Sequence, residues 1–438
     1  MAKKITIIGG GSSTFTPQLV QSLIRSEALR SSTLSLMDVD THRLKIMDTL
    51  GRQLVNIAGA GLRIETTTDQ RKALEGADFV ITTISVGGND AWEKDLEIPA
   101  SYGIFMPVAD SIGPGGMQRA FRHIPVLAGV VRDLERLSPQ AWVFNYSNPV
   151  SANCIAMRKA APSIRTIGLC SCSSIPRKAD FITRALKLSA EPVVPPPCAG
   201  LNHCAAMLQL KLKDGRDAFP LIQAPYPEAM TRWVLETYGI IPYCGSHWVE
   251  FFPTQCRLAE RYQGRAQGLR LANGVTVHDM KEHYERVQKW EDAVAKLARG
   301  EDLQALEVLP AGEAVEVVNI METLVTGRQT EYVLNLPNGG AIPNLPADAI
   351  VEVSALVDSY GVHPLQVGPL PGPLAALLCQ HAATQQTTAE AALTGNYRLA
   401  LHAYLEDVMT STVLTPPETE KLLNELLKAH AAHLPQFA

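Results

Sequence analysis

Cys170 and Cys172 flank a serine in "GLCSCSS" (168–174), directly after an apolar run. Two thiols at that spacing do not bridge each other readily, so three uses stay open: buried packing, a redox pair, or a metal site. Far upstream, "GGGSST" (9–14) follows the apolar "ITII" and precedes a helical stretch. Gly9 and Gly11 allow a tight turn and close backbone approach to a pyrophosphate, which then sits at a helix N-terminus, with Ser12 in the same turn. Thr14 stands where the usual fingerprint has its third glycine, so the motif alone discriminates little. Asp38 closes the next apolar run and offers a carboxylate to a ribose 2′-OH, which favours NAD over NADP. The alternative is a glycine turn in another doubly wound protein, with Asp38 as a helix cap.

A second group lies in "VADSIGPGGMQRAFRHIPVL" (108–127). Glycines 113, 115 and 116 read as a flexible loop before a helix carrying Arg119 and Arg122, with Asp110 just upstream; this suits a substrate-facing loop. "FNYSNPV" (144–150) ends a strand in Asn145 and Asn148, at the carboxyl end of a sheet where open α/β folds bind ligands. For Asn148 an Asx-turn before Pro149 is an equal reading.

Positioning these residues takes strands separated by helices. "ITII" (5–8), "LSLMD" (34–38), "ADFVITTIS" (77–85), "AWVFNYS" (141–147) and "RTIGLC" (165–170) alternate with helical stretches, which means βαβ units and a parallel sheet. The fold class is α/β: a Rossmann-type doubly wound parallel sheet over residues 1–190, then a mixed α+β catalytic and oligomerisation domain over 191–438. "PRKADFITRALKL" reads as a helix, and "EPVVPPPCAG" (191–200) as a proline-rich connector to a strand carrying His203. "AAMLQLKL" (205–212) alternates as a strand, and the charged stretch 278–300 is an amphipathic helix with His278, His283 and Tyr284 on its surface. Thr415 and Glu418 form a capping box.

Composition narrows the function classes. The 438 residues carry a formal charge of −5, without a basic stripe, which argues against nucleic acid. The apolar stretch in "MAKKITIIGG" is too short for a signal peptide or a membrane span. The eight cysteines show no disulfide framework, so reduced thiols in the cytoplasm are expected.

Taken together, "IIGGGSSTFTPQLVQSLI", "GPGGMQRAFRHIPV", "NYSNPVS", "GLC", "GLNH" (200–203), "YGIIPYCGSHWVEFFP" (238–253) and "VLNLPNGGAIPNLP" (333–346) resemble glycoside hydrolase family 4. These are NAD- and metal-dependent glycosidases related in fold to lactate and malate dehydrogenases, and an exception to two-carboxylate glycosidases. The resemblance implies a divalent metal, usually manganese, on a cysteine after the fifth strand and the histidine of "G-x-N-H", here Cys170 and His203. Manganese prefers oxygen, so substrate oxygens and water would complete its shell. Cys172 matches no ligand and reads as packing. The resemblance further implies cofactor contacts at Ser85 and Asn145, substrate contacts at Asn148, Trp92 and Asn202, and catalytic roles around Asp110. Its reaction oxidises the sugar at C3, removes the C2 proton, eliminates the group at C1 and recycles the same NAD. It also implies a homodimer or homotetramer.

Three positions depart from the family pattern. Ser171 follows the metal cysteine where relatives carry histidine, aspartate or asparagine, and a serine is a poor general acid. Gly245 and Ser246 replace the aspartate of a "G-D-R-H" stretch, which leaves His247 as the preferred base over Glu250 or Tyr243; an ordinary imidazole pKa near ~6.5 suits the task. Trp92 stands where phospho-sugar members present an arginine, so a free glycoside is expected, an α-glucoside or α-hexuronide. A 2-hydroxy-acid dehydrogenase and a catalytically weakened sugar-binding protein remain the alternatives.

Overall fold

The computed structural model describes residues 2–170, 196–222, 229–243, 245–259, 266–301, 312 and 314–438. Strands β1 (Lys4–Ile8), β2 (Thr33–Met37), β3 (Arg63–Thr67), β4 (Phe79–Thr82), β5 (Trp142–Asn145) and β6 (Arg165–Gly168) pair in parallel in the order 3-2-1-4-5-6. This is the doubly wound dinucleotide-fold order. Helices α1 (Phe15–Arg25), α2 (Thr41–Ala58), α3 (Gln70–Leu74), α4 (Gly88–Ser101), α5 (Gly113–Leu137) and α6 (Val150–Ala160) lie between and around these strands. Neighbouring strand residues enter different cores: Val80 and Val143 pack in one, Ile81 and Phe144 in the other. Burial on both faces explains why these strands read as unbroken apolar runs. β3 lacks such a run, being polar and mostly exposed at the sheet edge, and the apolar pattern does not mark it.

The sheet continues past β6. Strands β7 (Cys198–Leu201), β8 (Cys204–Met207), β9 (Ile241–Pro242), β10 (Thr330–Pro337), β11 (Ile350–Asp358) and β12 (Gly361–Pro364) complete twelve, and all of the added pairings are antiparallel. The expected connector ending at 200 therefore already contains strand, since Cys198, Ala199 and Gly200 belong to β7. His203 sits in the β7–β8 turn rather than within a strand, and β8 stops at Met207 rather than running to 212. The charged helix spans Met280–Ala298 with Asp279 as its N-cap, so His278 precedes it. The Thr415–Glu418 capping box forms as expected. The helix expected at 176–188 lies outside the described residues. Among the described residues no helix is long and apolar enough to cross a membrane.

Candidate functional site

The glycine turn joins β1 to α1. Gly9 has φ +99°, and a Cβ there would meet the Thr83 carbonyl oxygen at 2.3 Å, so only glycine fits. The N–H groups of Gly9 and Gly10 donate to the Met37 carbonyl at 3.0 and 2.8 Å, and that of Gly11 donates to Asp38 Oδ2 at 2.8 Å. Ser12 Oγ accepts from the Phe15 N–H at the start of α1. Asp38 is not a helix cap, since Asp40 caps α2 by accepting from His42 and Arg43. Asp38 instead ties the end of β2 to the turn.

The loops after β4 and β5 are held by saturated side chains. Asn145 Oδ1 accepts from Thr82 Oγ1 and the Ser147 N–H, while its Nδ2 donates to the Ser147 carbonyl. Fully buried, Asn145 organises the strand end from beneath. His123 bridges the two loops: its Nε2 accepts from the Val86 N–H (3.1 Å) and its Nδ1 donates to the Asn148 carbonyl (2.7 Å). Burial, then Arg119 and Arg122, push its pKa well below the ordinary value, which keeps this neutral tautomer. Ser85 is exposed on the same loop.

The expected flexible glycine loop is instead the first turn of α5. A Cβ on Gly115 would meet the Asp95 carbonyl oxygen at 2.6 Å, and one on Gly116 the Ser111 backbone at 2.7 Å. Close packing, not mobility, is what these glycines provide. Arg122 is likewise structural, making a buried bidentate pair with Asp95 at 2.9 and 2.6 Å.

At that corner Asp110, His203 and His247 bring ligand atoms within 4.8 Å of one another. Asp110 Oδ2 accepts from Asn148 Nδ2, and Oδ1 from Ser111 Oγ, each at 2.7 Å. Since the Ser111 hydroxyl donates to Asp110, the 2.7 Å contact of Ser111 Oγ with His203 Nδ1 has the ring N–H as donor. Nε2 of His203 then carries the lone pair, the arrangement a metal-binding imidazole needs. The His203 and His247 rings face each other at a tilt of 31° with centroids 3.9 Å apart, and their Nδ1 atoms lie 3.7 and 3.9 Å from Asp110 Oδ1. Burial would raise the Asp110 carboxyl, but His203, His247, Arg119 and the Ser111 hydroxyl together hold it at about 2. Burial and His247 hold His203 at about 3, so its ring is neutral.

His203 has φ +67° and Ala109 φ +55°, left-handed values that cost a non-glycine residue about 1–3 kcal/mol. Glu250 secures the second bend, because its Oε1 accepts from the N–H groups of both Val108 and Ala109 at 2.7 Å. Burial pushes the Glu250 carboxyl up to about 7. Tyr243, the other alternative base, is buried with its hydroxyl donating to the Pro196 carbonyl. Asn202, beside His203 and only 2 % exposed, has neither amide atom hydrogen-bonded among the described residues.

Cys170 is buried just past the end of β6 and stands outside the three-residue cluster. Ser171 and Cys172 lie outside the described residues. Trp92 on α4 donates to the Val108 carbonyl and packs against His278 (4.6 Å) and His283 (5.1 Å), with the Arg119 guanidinium 5.8 Å from its ring. The two histidines are thus half-buried against Trp92 rather than free surface residues. Sequence reasoning missed Ser111 and His123. A hydroxyl adjoining Asp110 marks the first; nothing local marks the second, whose role appears only when two strand ends meet.

Residues 4–186 match the profile described as family 4 glycosyl hydrolase, and residues 198–410 the profile of its C-terminal domain. The chain is 32% identical to a Bacillus subtilis protein named "Probable 6-phospho-beta-glucosidase", over 99% of this chain and 98% of that one. It is 30% identical to an alpha-galactosidase of the same organism, over 99% and 100% of the two chains. Among solved structures, lplD of Bacillus subtilis superposes with a TM-score of 0.83 at 26% identity, covering 97% of this chain and 100% of that one. A 6-phospho-alpha-glucosidase from gut microorganisms, solved with NAD and Mn2+, shares the fold with a TM-score of 0.79 at 21% identity, covering 99% of both chains. The chain belongs to family 4 of the glycosyl hydrolases.

Proposed function

We propose that this glycosidase cleaves a small non-phosphorylated glycoside, an α-glucoside or α-hexuronide, with NAD and a divalent ion, manganese by preference. We assign residues 1–190 to cofactor binding and 191–438 to catalysis and assembly, as a cytoplasmic homodimer or homotetramer. The observation that carries the reading is the Asp110–His203–His247 cluster, one carboxylate and two imidazoles within reach of a single ion, next to Asn202, whose amide has no partner among the described residues. Asp110 adds the oxygen donor that manganese favours to the nitrogen of His203, and Cys170 remains the proposed thiolate. The glycine turn fits a dinucleotide because any Cβ on Gly9 or Gly11 would fill the space: on Gly11 it would lie 2.9 Å from Asp38 Oδ2. Asp38 receives the ribose, Ser12 lies in the same turn, and Ser85, exposed on the loop after β4, is assigned a further cofactor contact.

When bound, the two groups supply reversible hydride transfer at C3 of the sugar and Lewis-acid stabilisation of the neighbouring oxyanion. His247 takes the proton from C2, and Asp110, anionic through its neighbours, stabilises the imidazolium so formed. Asn148, fixed by its bond to Asp110, and Asn202 present amides to sugar hydroxyls. Ser171 orders the water or leaving-group oxygen, and Trp92 walls the sugar. Glu250 positions the Asp110 corner rather than acting as base, since both N–H donors on its Oε1 belong to that corner's backbone. Within the substrate class, Arg119 favours a hexuronide. Its Nε is buried without a hydrogen-bond partner among the described residues, beside Asp110 and Trp92, ready for a carboxylate.

The test is turnover in D2O with aryl α-glucosides and α-hexuronides, NAD+, Mn2+ and reductant. The expected product carries deuterium at C2, and no NADH accumulates. Cleavage at full rate by NAD+-free enzyme, or product without C2 deuterium, would overturn the mechanism. Hydrolysis confined to 6-phospho-glycosides would overturn the substrate class alone.

A further inference from the structure

Behind the Asp110–Ser111 corner lies a small cavity bounded on one side by Ser111, Gly113 and Gly116 of the α5 N-terminus. Its far wall is the helix Gly372–Thr394, which presents His381, Gln385 and Thr388 at spacings of four and three residues, and Asp407, the N-cap of the short helix Val408–Val413, completes it. All four are nearly inaccessible, between 1 % and 6 % exposed. Each turns one atom with no hydrogen-bond partner among the described residues: His381 Nδ1, Gln385 Oε1, Thr388 Oγ1 and Asp407 Oδ1. Buried polar atoms of this kind cost about 1–3 kcal/mol each when unpaired, so four around one cavity point to an occupant.

The chemistry of the four atoms selects it. His381 Nε2 lies 3.0 Å from the Phe251 carbonyl oxygen and must donate to it, so Nδ1 carries a lone pair. Asp407 Oδ2 accepts from the N–H and hydroxyl of Thr410, at 2.8 and 2.7 Å, and the N–H groups of Gly113 and Met409 also favour the carboxylate, while Oδ1 has no hydrogen bond among the described residues. Two of the atoms are therefore pure acceptors, the third is one while Asp407 is ionised, and the fourth is a hydroxyl; burial raises the Asp407 carboxyl, a penalty that a cation beside it would offset. The cavity, about 10 Å³, has room for one small occupant. A water has only two protons to donate and brings no charge to a buried carboxylate that no Lys or Arg pairs with among its described hydrogen bonds and ion pairs. A divalent ion suits the site poorly, because calcium gathers several carboxylates and magnesium keeps waters for which there is no space. We propose that this cavity binds one monovalent cation of about the size of water, potassium or ammonium, which fastens the α5 corner carrying Asp110 to the helical layer behind it.

The experiment is thermal unfolding of the full chain, with NAD+ and Mn2+ constant, in potassium, ammonium and choline chloride at matched ionic strength. Potassium or ammonium should raise Tm by about 2 °C over choline, as expected for an ion at several times its dissociation constant. Thr388→Val, close to isosteric, and Asp407→Asn, which keeps an acceptor for Thr410, should each erase that difference. A crystal grown in rubidium chloride should give an anomalous peak between the four atoms. Equal Tm in all three salts, a Thr388→Val protein that keeps the full difference, or a rubidium peak only elsewhere would each overturn the proposal.

Discussion

The two walls of the candidate site differ in how completely their polar groups are used. On the parallel-sheet side, Asn145, His123, Asn148 and the Arg122–Asp95 pair all engage protein partners. On the antiparallel side, the Asn202 amide beside the strained His203 has none among the described residues. A buried donor or acceptor is normally satisfied, so these engaged groups are finished scaffold, whereas the Asn202 amide, like Arg119 Nε on α5, has no partner among the described residues and marks where a ligand completes the structure. Asp110 joins the two, with its carboxylate bonded to Asn148 and Ser111 and facing both imidazoles.

If the first wall is scaffold, breaking it should cost stability before any ligand is added. Arg122→Met removes the cation from Asp95 while leaving that carboxylate buried, with His430 Nε2 3.0 Å away. We expect a loss of about 3–5 kcal/mol in the ligand-free protein, read by urea unfolding. A loss below about 1 kcal/mol would mean that the wall relaxes around the change, and the contrast between the walls would fail.

Legibility in the sequence followed the same division. The doubly wound order was readable because both faces of β1, β4 and β5 are buried, giving apolar runs that punctuate the chain. The polar edge strand β3 was not. At the site, Gly9, Asp38 and Asn148 could be singled out because turns and strand ends announce themselves locally, and the family resemblance supplied His203 and the roles. The cluster itself was not readable: Asp110, His203 and His247 are separated by about ninety and about forty residues, and only the tertiary fold, which brings the segment before α5 against the β7–β8 turn, unites them. The glycines of α5 misled for a physical reason, since glycine signals both mobility and close approach and the sequence does not say which.

Glu250 sharpens the comparison from behind the Asp110 corner. Its carboxyl is raised to about 7 from an ordinary 4.5, chiefly by burial. A raised folded-state value means that the folded protein holds this proton more tightly than the unfolded chain. The associated stability is fully present below 4.5 and is lost as pH rises through about 7. Glu250→Gln carries no such proton and keeps an oxygen for the Val108 and Ala109 N–H groups. Measured without metal, the stability difference between variant and wild type should move in the variant's favour by up to about 3 kcal/mol across that interval. A difference that does not change with pH would mean that the carboxylate is stabilised by something beyond those two N–H groups.

The smallest expected effect bears most directly on the unsaturated wall. Asn202→Leu replaces two buried polar atoms that have no partner among the described residues with an apolar group of similar shape. Truncating a satisfied amide costs stability because its partners are stranded, but here no partner is stranded, so the ligand-free variant should unfold at the same or a slightly higher urea concentration. The cost should appear only with substrate, as hydroxyls meeting a methyl group where the amide stood. We expect KM to rise by about tenfold, the loss of one or two neutral hydrogen bonds. A variant that is clearly destabilised without ligand would show that Asn202 already serves the fold. An unchanged KM with unchanged stability would place the sugar elsewhere, and the imbalance between the walls would then need another ligand to explain it.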